Sequence, residues 1–450
     1  MRVFIGMYNI ANLMSIYSQG FRSLGFDVDC YEFTHHPFYE LETRKVNFYG
    51  AANRVLSENK SEYPLLQPYY DDNLLDKLEM IISDQLSYDI YIFMNCMSLL
   101  PGNLDFPIIK RKNKIIISLF SGSEVRHSIS AKEIWSTMDN TLPDIMAMSD
   151  SVVYNNDPIA AYRLINADVY ERSIDKKIQN ICMAEIFSDV ILSVPEQSGL
   201  QLRPYQAYVH AVDPNSLKSK IPNRRYPIVS HVPSNPAVKR SELILKALDE
   251  LAREGVKYTL IAKSRIPHSE VIDILSESDI LVDQISNFPA LLSHEAMASG
   301  CAVLTGRHEL SMPIPLIEER CPAVHITTKT LKDRLRETIQ NRAQRFELST
   351  QGIDYIMAIC TPQSAAVRLI NAVERAMHND YDYFPMWNHI HLQETINRLT
   401  DYAKILMIES INKNGRPAEC TDLDKYKSFN TWSYQINHIG GWTYCRELKK

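Results

Sequence analysis

The stretch from Asp279 to Gly306, DILVDQISNFPALLSHEAMASGCAVLTG, limits the fold more than any other part of the chain. DILVDQIS (Asp279 to Ser286) holds an unbroken apolar run, the pattern of a strand buried on both faces of a parallel sheet. The residues after it read as a helix. Asn287 can cap it with its amide oxygen, and Pro289 suits a first turn whose N–H would be orphaned anyway. Gly300 can take the left-handed stop after Ser299, and CAVLT (Cys301 to Thr305) is the next buried strand. A strand feeding a helix N-terminus leaves free N–H groups and the positive end of a dipole at the carboxyl edge of the sheet. That is a ready place for a phosphate or diphosphate. Glu295 stands roughly two turns into the helix, within reach of a group beside the phosphate. An ordinary βαβ crossover with a solvated Glu295 has the same pattern, so the rest of the chain must decide.

The chain has 450 residues, 45% hydrophobic and 23% charged, enough for two domains with real cores. A net charge of −6 lacks the basic footprint of a nucleic-acid binder, and nucleic acid is not expected as a partner. The eight Cys are scattered without a CxxC, several in apolar runs. Buried thiols are therefore expected, not a disulfide framework or a metal site. The opening MRVFIGMYNIANLM is no signal peptide, because Asn9 and Asn12 interrupt a short apolar run. KIIISLF is too short to cross a bilayer. A cytoplasmic location is expected, and peripheral contact with a membrane is compatible with it.

Strand and helix patterns alternate from the start. RVFIGM is a strand, SIYSQGFRSL (Ser15 to Leu24) a helix and DVDCYEF (Asp27 to Phe33) a strand. The GxGxxG fingerprint is absent, yet the loop after a first strand faces the functional crevice of an open α/β sheet. This makes Tyr8, Asn9 and Asn12 candidates, with plain turn chemistry as the alternative. Residues 34 to 75 read as an insertion or long loop. Leu74 to Leu86 has helical spacing, and YDIYIFMN and KIIISLF are two more strands. SGSEVRHS follows the second of these. It puts Ser123, Glu124 and Arg126 at the same edge as Asn9, with a carboxylate and a bidentate donor in one loop. A capped loop with a local ion pair is the plainer reading. IMAMSDSVVYNN (Ile145 to Asn156) and EIFSDVILSV (Glu185 to Val194) repeat the helix-to-strand form. The polar KSKIPNRR then marks a boundary.

A second α/β series follows. YPIVSHV is a strand, SELILKALDELAREG an amphipathic helix, KYTLIAK a strand and PHSEVIDILSES a helix, leading into the opening segment. Lys239, Arg240 and Lys263 all fall in loops after strands, on the edge of the Asn287 helix start. Several cations beside a helix N-terminus describe an anion site better than any one alone. Thr330 to Ala358 reads as one long charged helix, with another closing the domain. The tail from 379 holds one helix and many Tyr and Trp.

These segments resemble, in order, the bacterial family-four retaining glycosyltransferases of the GT-B fold. YNIANLMSIYSQGFRSLGFDVDCY is similar to their first loop and helix, and SGSEVR to their GSDxR-like loop. HAVDP is similar to the N-x-x-D crossover, and HVPSNPAVKRSELILKAL to the H-x-PS…KG…I-x-A element. SESDILVDQ…HEAMASGCAVLTG is similar to the nucleotide-sugar segment. The resemblance implies two Rossmann-like domains facing across a cleft, bounded at 1–217 and 218–378, with a helical and aromatic C-terminal extension from 379 to 450. It implies a nucleotide-sugar donor in the second domain and a glycan, lipid-linked or protein acceptor in the first. Oligomers through the extension are compatible with it.

By the same resemblance, Glu295 holds the donor ribose and Lys239 the phosphate, with Lys263 a looser match. Asn287, Phe288, Ala290, Leu291 and Leu292 line the donor, backbone N–H groups from 290 to 292 taking the diphosphate. Asn9, Asn12, Ser123, Glu124 and Arg126 stand on the acceptor side. Retaining hexosyl transfer would need no cofactor and no metal, because the cations and the helix dipole neutralise the departing phosphate. Glu124 and Asn287 are the candidates for catalysis. The sequence departs from the pattern at three places. Asn287 stands eight positions before Glu295 where many relatives have Glu, Ala290 replaces a Gly, and Arg240 replaces the Gly after Lys239. A non-catalytic sugar-binding subunit and a nucleotide-sugar epimerase on the same fold are the alternatives.

Overall fold

The computed structural model describes residues 1–10, 12–35, 43–59, 72–95, 97–122, 124–125, 174–193, 200–208, 210–285, 289–306, 321–382, 384–387, 399–414, 418–419, 434–439 and 442–447. The chain forms two compact units. One comprises Met1–Ala131, Pro158–Tyr208 and Arg368–Lys450, the other Lys132–Asp157 and Val209–Val367.

The first unit opens as β1 (Arg2–Gly6), α1 (Leu13–Ser23), β2 (Asp27–Glu32), β3 (Arg44–Lys45), α2 (Tyr49–Glu58) and α3 (Asp72–Ile82). It continues as β4 (Ile90–Met94), α4 (Asp105–Arg111), β5 (Ile115–Leu119), α5 (Ile174–Phe187), β6 (Val190–Ser193) and β7 (Gln206–Ala207). The seven strands order as β3-β2-β1-β4-β5-β6-β7, every pairing parallel. β4 and β5 are almost wholly apolar because helices cover both faces of such a sheet. Phe4 stacks on Tyr31 at 4.8 Å and meets Tyr88, Tyr91 and Phe93, an aromatic core under the central strands. The stretch expected as a loop after residue 34 instead contributes β3, α2 and the start of α3. α2 buries only Tyr49 and Ala52, so its apolar stripe is too thin to stand out in sequence. The segment 145–156 lies outside the described residues.

The second unit contains β8 (Ile228–His231), α6 (Pro236–Lys239), α7 (Ser241–Arg253), β9 (Thr259–Ala262), α8 (His268–Glu277) and β10 (Ile280–Val282). α9 (Leu291–Ala298), β11 (Ala302–Thr305), β12 (Val324–His325), α10 (Leu331–Gln340) and α11 (Arg342–Ile359) complete it. Its five parallel strands order as β12-β11-β10-β8-β9. One face packs Ile244 and Leu248 of α7 with Leu335 and Ile339 of α10. The other packs Leu275, Met297, Tyr355 and Ile356 from α8, α9 and α11. Each unit is thus an α/β, Rossmann-like parallel sheet with helices. The single helix expected over 330–358 is two. The chain breaks at Asn341 (φ −91°, ψ 91°), whose side chain accepts from Gln344 N at 3.1 Å and starts a new helix.

α12 (Pro362–Met377) begins in the second unit and ends in the first. β13 (Phe384–Trp387), α13 (Asp401–Asn414), β14 (Ala418–Glu419), β15 (Tyr434–Ile439) and β16 (Trp442–Glu447) follow, the strands pairing as β14-β13-β16-β15. α13 packs on α5. There Glu185 Oε1 accepts from Leu202 N (2.6 Å) and Arg203 N (3.1 Å), while Ser410 Oγ donates to Oε2 at 2.5 Å. Burial pushes the Glu185 carboxyl up to about 7 against these hydrogen bonds. Arg375 pairs with Asp380 and Asp382, whose neighbourhood also bonds Gln206 and Ala207. The segment after α12 is therefore fastened to the first unit. Among the described residues no single helix is long and apolar enough to cross a membrane; α11 and α12 pass that test only as a pair bent by 47°.

Candidate functional site

In an open parallel sheet the crevice lies where strand order reverses, at the carboxyl ends. In the second unit that point falls between β8 and β10, since β9 lies to one side and β11 to the other. One ion pair spans it. Lys239, the last residue of α6 after β8, donates from Nζ to Asp283 Oδ1 at 2.8 Å, and Asp283 directly follows β10. Asp283 is fully buried, and its other oxygen accepts from Ser293 Oγ of α9 at 2.6 Å. An ammonium has three donors, so this bond fixes the direction of Lys239 and leaves two for a ligand. Asn235 makes the turn before it, capping α6 by accepting from Ala237 N and Val238 N.

α9 begins at Leu291, with Ala290 at its cap (φ −112°, ψ −165°) and no side-chain capping bond. This corrects two expectations: Pro289 precedes the helix, and Asn287 lies three positions before the cap. The physical reason lies at Ala290, whose extended backbone keeps helical geometry from starting before Leu291. Asn287 and Phe288 lie outside the described residues. Leu291 and Leu292 supply the N–H groups of the uncapped first turn.

Glu295, buried in the next turn, accepts from His268 Nε2 at 2.7 Å, His268 being the first residue of α8. Burial pulls the His268 pKa down, but the hydrogen bond and charge of Glu295 outweigh it and leave it raised. Two more histidines brace the site as neutral rings, their pKa values lowered by burial. His231 Nδ1–H donates to Val282 O at 2.7 Å, because a carbonyl only accepts, so Nε2 takes the Ser241 hydroxyl proton at 2.7 Å. His294 donates from Nδ1 to the His210 carbonyl.

The other expected cations behave differently. Lys263 pairs with Glu270 at 2.6 Å, both half-exposed. Arg240 is buried and takes the left-handed conformation (φ 62°, ψ 40°) at the turn from α6 into α7. That backbone favours glycine, which accounts for the Gly found there in the motif it resembles.

In the first unit the reversal falls between β1 and β4. Asn9 follows β1 and is fully buried. Asn12 heads α1 in a left-handed conformation (φ 57°) without capping it. Glu124 is buried; Ser121 donates to it from its N–H and, at 3.1 Å, from its hydroxyl. With its amide nitrogen turned toward the carboxylate, Asn95 after β4 donates to both Glu124 oxygens, at 3.2 and 2.8 Å. Glu124 thus ties two strand ends together. Ser123 and Arg126 lie outside the described residues. Among the described residues no group of three or more His, Cys, Asp or Glu is arranged to hold a metal ion.

Sequence reasoning missed Asp283, Ser293, His268 and His231. Asp283 had a signal, an acid at the carboxyl end of a buried ILV run. His231 had one as well, heading the HVPS element, whereas His268 had none, its partner Glu295 lying 27 residues on.

No protein-family model matches the sequence, and no curated protein matches it. Among solved structures the chain is similar to TarM of S. aureus (10% identity, 83% of this chain and 98% of that one, TM-score 0.49). It is also similar to the catalytic domain of starch synthase IV from Arabidopsis thaliana (12%, 84% and 99%, 0.46). A third is HepE of Anabaena (10%, 83% and 99%, 0.45). At these values the chemistry has to be argued from the residues themselves.

Proposed function

We propose that the chain is a glycosyltransferase that takes a sugar from a nucleoside diphosphate-sugar and passes it to a hydroxyl acceptor. The observation that carries this reading is the constellation at the reversal point of the second unit. Lys239, oriented by Asp283, stands with the uncapped first turn of α9, and Glu295 is in the next turn of that helix. In this reading the remaining Lys239 donors and the N–H groups of Leu291 and Leu292 hold the diphosphate. The Glu295 oxygen not used by His268 accepts from a ribose hydroxyl. Positive charge at the departing phosphate favours cleavage of the anomeric C–O bond, with the electron pair going to the phosphate. These residues supply that charge without a metal ion. The motif resemblance supports retention of configuration and hexosyl transfer to a glycan, lipid-linked or protein acceptor.

Calorimetric titration with UDP, ADP and GDP, followed by incubation with a panel of sugar nucleotides, tests the reading. Binding of one nucleotide and slow release of it from its sugar support a transferase. Recovery of an epimerised sugar nucleotide favours the epimerase alternative. Binding without any turnover favours a non-catalytic subunit, and no binding to any nucleotide or sugar nucleotide removes both the transferase and the epimerase.

A further inference from the structure

The two parallel sheets end differently beside their first strands. In the first unit β2 lies next to β1 and is itself covered by β3. In the second unit β9 lies next to β8, and the chain then runs through α8 straight to β10, so β9 is left as the edge. Strands of a parallel α/β sheet are ordinarily buried on both faces. β8, β10 and β11 follow that rule at every residue but Ile228, whereas Thr259, Leu260 and Ala262 of β9 are exposed and Ile261 is only partly covered. The backbone is open too. Thr259 N donates to Pro227 O at 3.0 Å and Lys263 N to His231 O at 3.2 Å. Successive residues of a strand face opposite ways along the ladder, so the N–H and C=O of Tyr258, Leu260 and Ala262 point away from β8. Among the described residues β9 pairs with β8 alone.

An exposed apolar edge without proline is a template for another strand. What surrounds this one is self-complementary. KYTLIAK (Lys257 to Lys263) has Leu260 at its centre. A two-fold axis through Leu260 lays the segment antiparallel on its own copy, with outward groups facing outward groups in about six backbone hydrogen bonds. Leu260 then meets Leu260, Thr259 meets Ile261, and the large Tyr258 meets the small Ala262. At the ends Lys257 comes opposite Lys263. Lys257 has no acidic partner among the described residues and stands over the Tyr226 ring at 5.5 Å. Lys263 already pairs with Glu270, which is 40% exposed, so Lys257 would meet a pair that holds an acid. We infer that β9 pairs with β9 of a second copy of this chain, antiparallel about Leu260, and joins two five-stranded sheets into one. A two-fold contact consumes the edge, so assembly stops at a dimer. One strand pair is small beside a standard interface of about 1,200 Å² or more, so the dimer dissociates on the order of 10–100 µM. The inference stands apart from the glycosyltransferase reading.

Sedimentation equilibrium on the full chain, from about 1 to 300 µM, tests it by mass action. The expected mass rises from one chain toward two. Leu260→Lys sets two ammonium groups face to face on the axis. Leu260→Pro removes an outward N–H and leaves the bonds to β8 in place. Each is expected to weaken dimerisation at least ~10-fold. Cysteine pairing gives a readout that does not rely on a loss. Directly opposed hydrogen-bonded residues have Cα atoms about 5.5 Å apart, within disulfide range. Leu260→Cys is therefore expected to cross-link two chains under mild oxidation. Ala262→Cys, with its copies roughly 14 Å apart, is not. The unaltered chain is the control for its own thiols. A single-chain mass at every concentration, a dimer untouched by both Leu260→Lys and Leu260→Pro, or faster cross-linking at 262 than at 260 overturns the inference.

Discussion

Lys239 and Asp283 form an ion pair at 2.8 Å in which the carboxylate is fully buried and the lysine side chain stays 15% exposed. The acid belongs to the protein interior and the base to the crevice. The pair is thus a support whose outer half is available to a ligand.

Removing one member should therefore cost more than removing both. Lys239→Met leaves Asp283 buried with Ser293 alone and is expected to destabilise the second unit by about 3–5 kcal/mol. Lys239→Met with Asp283→Leu should recover much of that, because two apolar side chains need no solvation. Neither variant should bind nucleotide. Urea denaturation and calorimetry read the two effects apart; full affinity in the double variant would show that Lys239 does not touch the phosphate.

Two glycines with the same backbone angle should behave differently. Gly300 (φ +87°) and Gly255 (φ +84°) both follow helix ends. A Cβ at Gly300 would lie 1.8 Å from the Lys220 carbonyl oxygen, whereas at Gly255 nothing lies within 4 Å. Gly255→Ala is expected to cost about 1–2 kcal/mol from the left-handed backbone alone. Gly300→Ala must also displace the strap at Lys220, whose N–H donates to Ser299 O at 3.1 Å, and should prevent folding of the second unit or lower its melting temperature far more. Equal losses at the two positions would mean the strap yields freely.

The first unit should weaken as pH rises toward neutrality. Glu185 ordinarily titrates at 4.5 and is pushed up to about 7, so between those values the folded state keeps a proton the unfolded chain has released. The stability is full below 4.5 and lost as pH rises through 7, by at most about 3 kcal/mol. Asp105, pushed up to about 6 by burial, adds a slope of the same sign. In Glu185→Gln the amide oxygen can still accept from Leu202 and Arg203 while its nitrogen donates to Ser410. This variant should flatten the melting temperature against pH between 5 and 8; an unchanged slope would assign the effect elsewhere.

His268 should act on nucleotide binding through Glu295. Its raised pKa means the charged pair is intact below the ordinary value of 6.5 and fades as pH passes the raised one. His268→Ala is expected to weaken binding several-fold at pH 6 and less at pH 8.5. Glu295→Ala should do so at both. A double-mutant cycle should give a coupling of roughly 1 kcal/mol, and additive losses would separate the two residues.

The alternation of strands and helices was legible from residue order because buried parallel strands such as IYIFM and IIISL announce themselves. The proposed donor site was half legible. Lys239 and Glu295 were legible through the motifs that contain them and Gly300 adopts the left-handed stop read for it, but the helix start was read too early, at Asn287 and Pro289 instead of Leu291. What was hidden is pairing across the sheet: Asp283 with Lys239 is 44 residues distant, and His268 with Glu295 is 27. Glu124 was legible as a loop acid but not as the clasp that Asn95 makes of it. Its removal should therefore loosen the loop as well as any ligand it holds. The C-terminal strands escaped notice because aromatic residues suit strands, surfaces and interfaces alike.

The bond between Ser410 and Glu185 joins residues 225 positions apart, and every residue of the second unit lies at or before Val367. At about 5–20 residues per second, the ribosome takes roughly 10–45 s to travel from one partner to the other. During that interval Val209–Val367 of the second unit is synthesised, and the first sheet still lacks the α13 helix that packs on α5. The half of the protein made first is thus the last to close, and a stop codon shortly before Asp401 would leave it open with every residue of the second unit present.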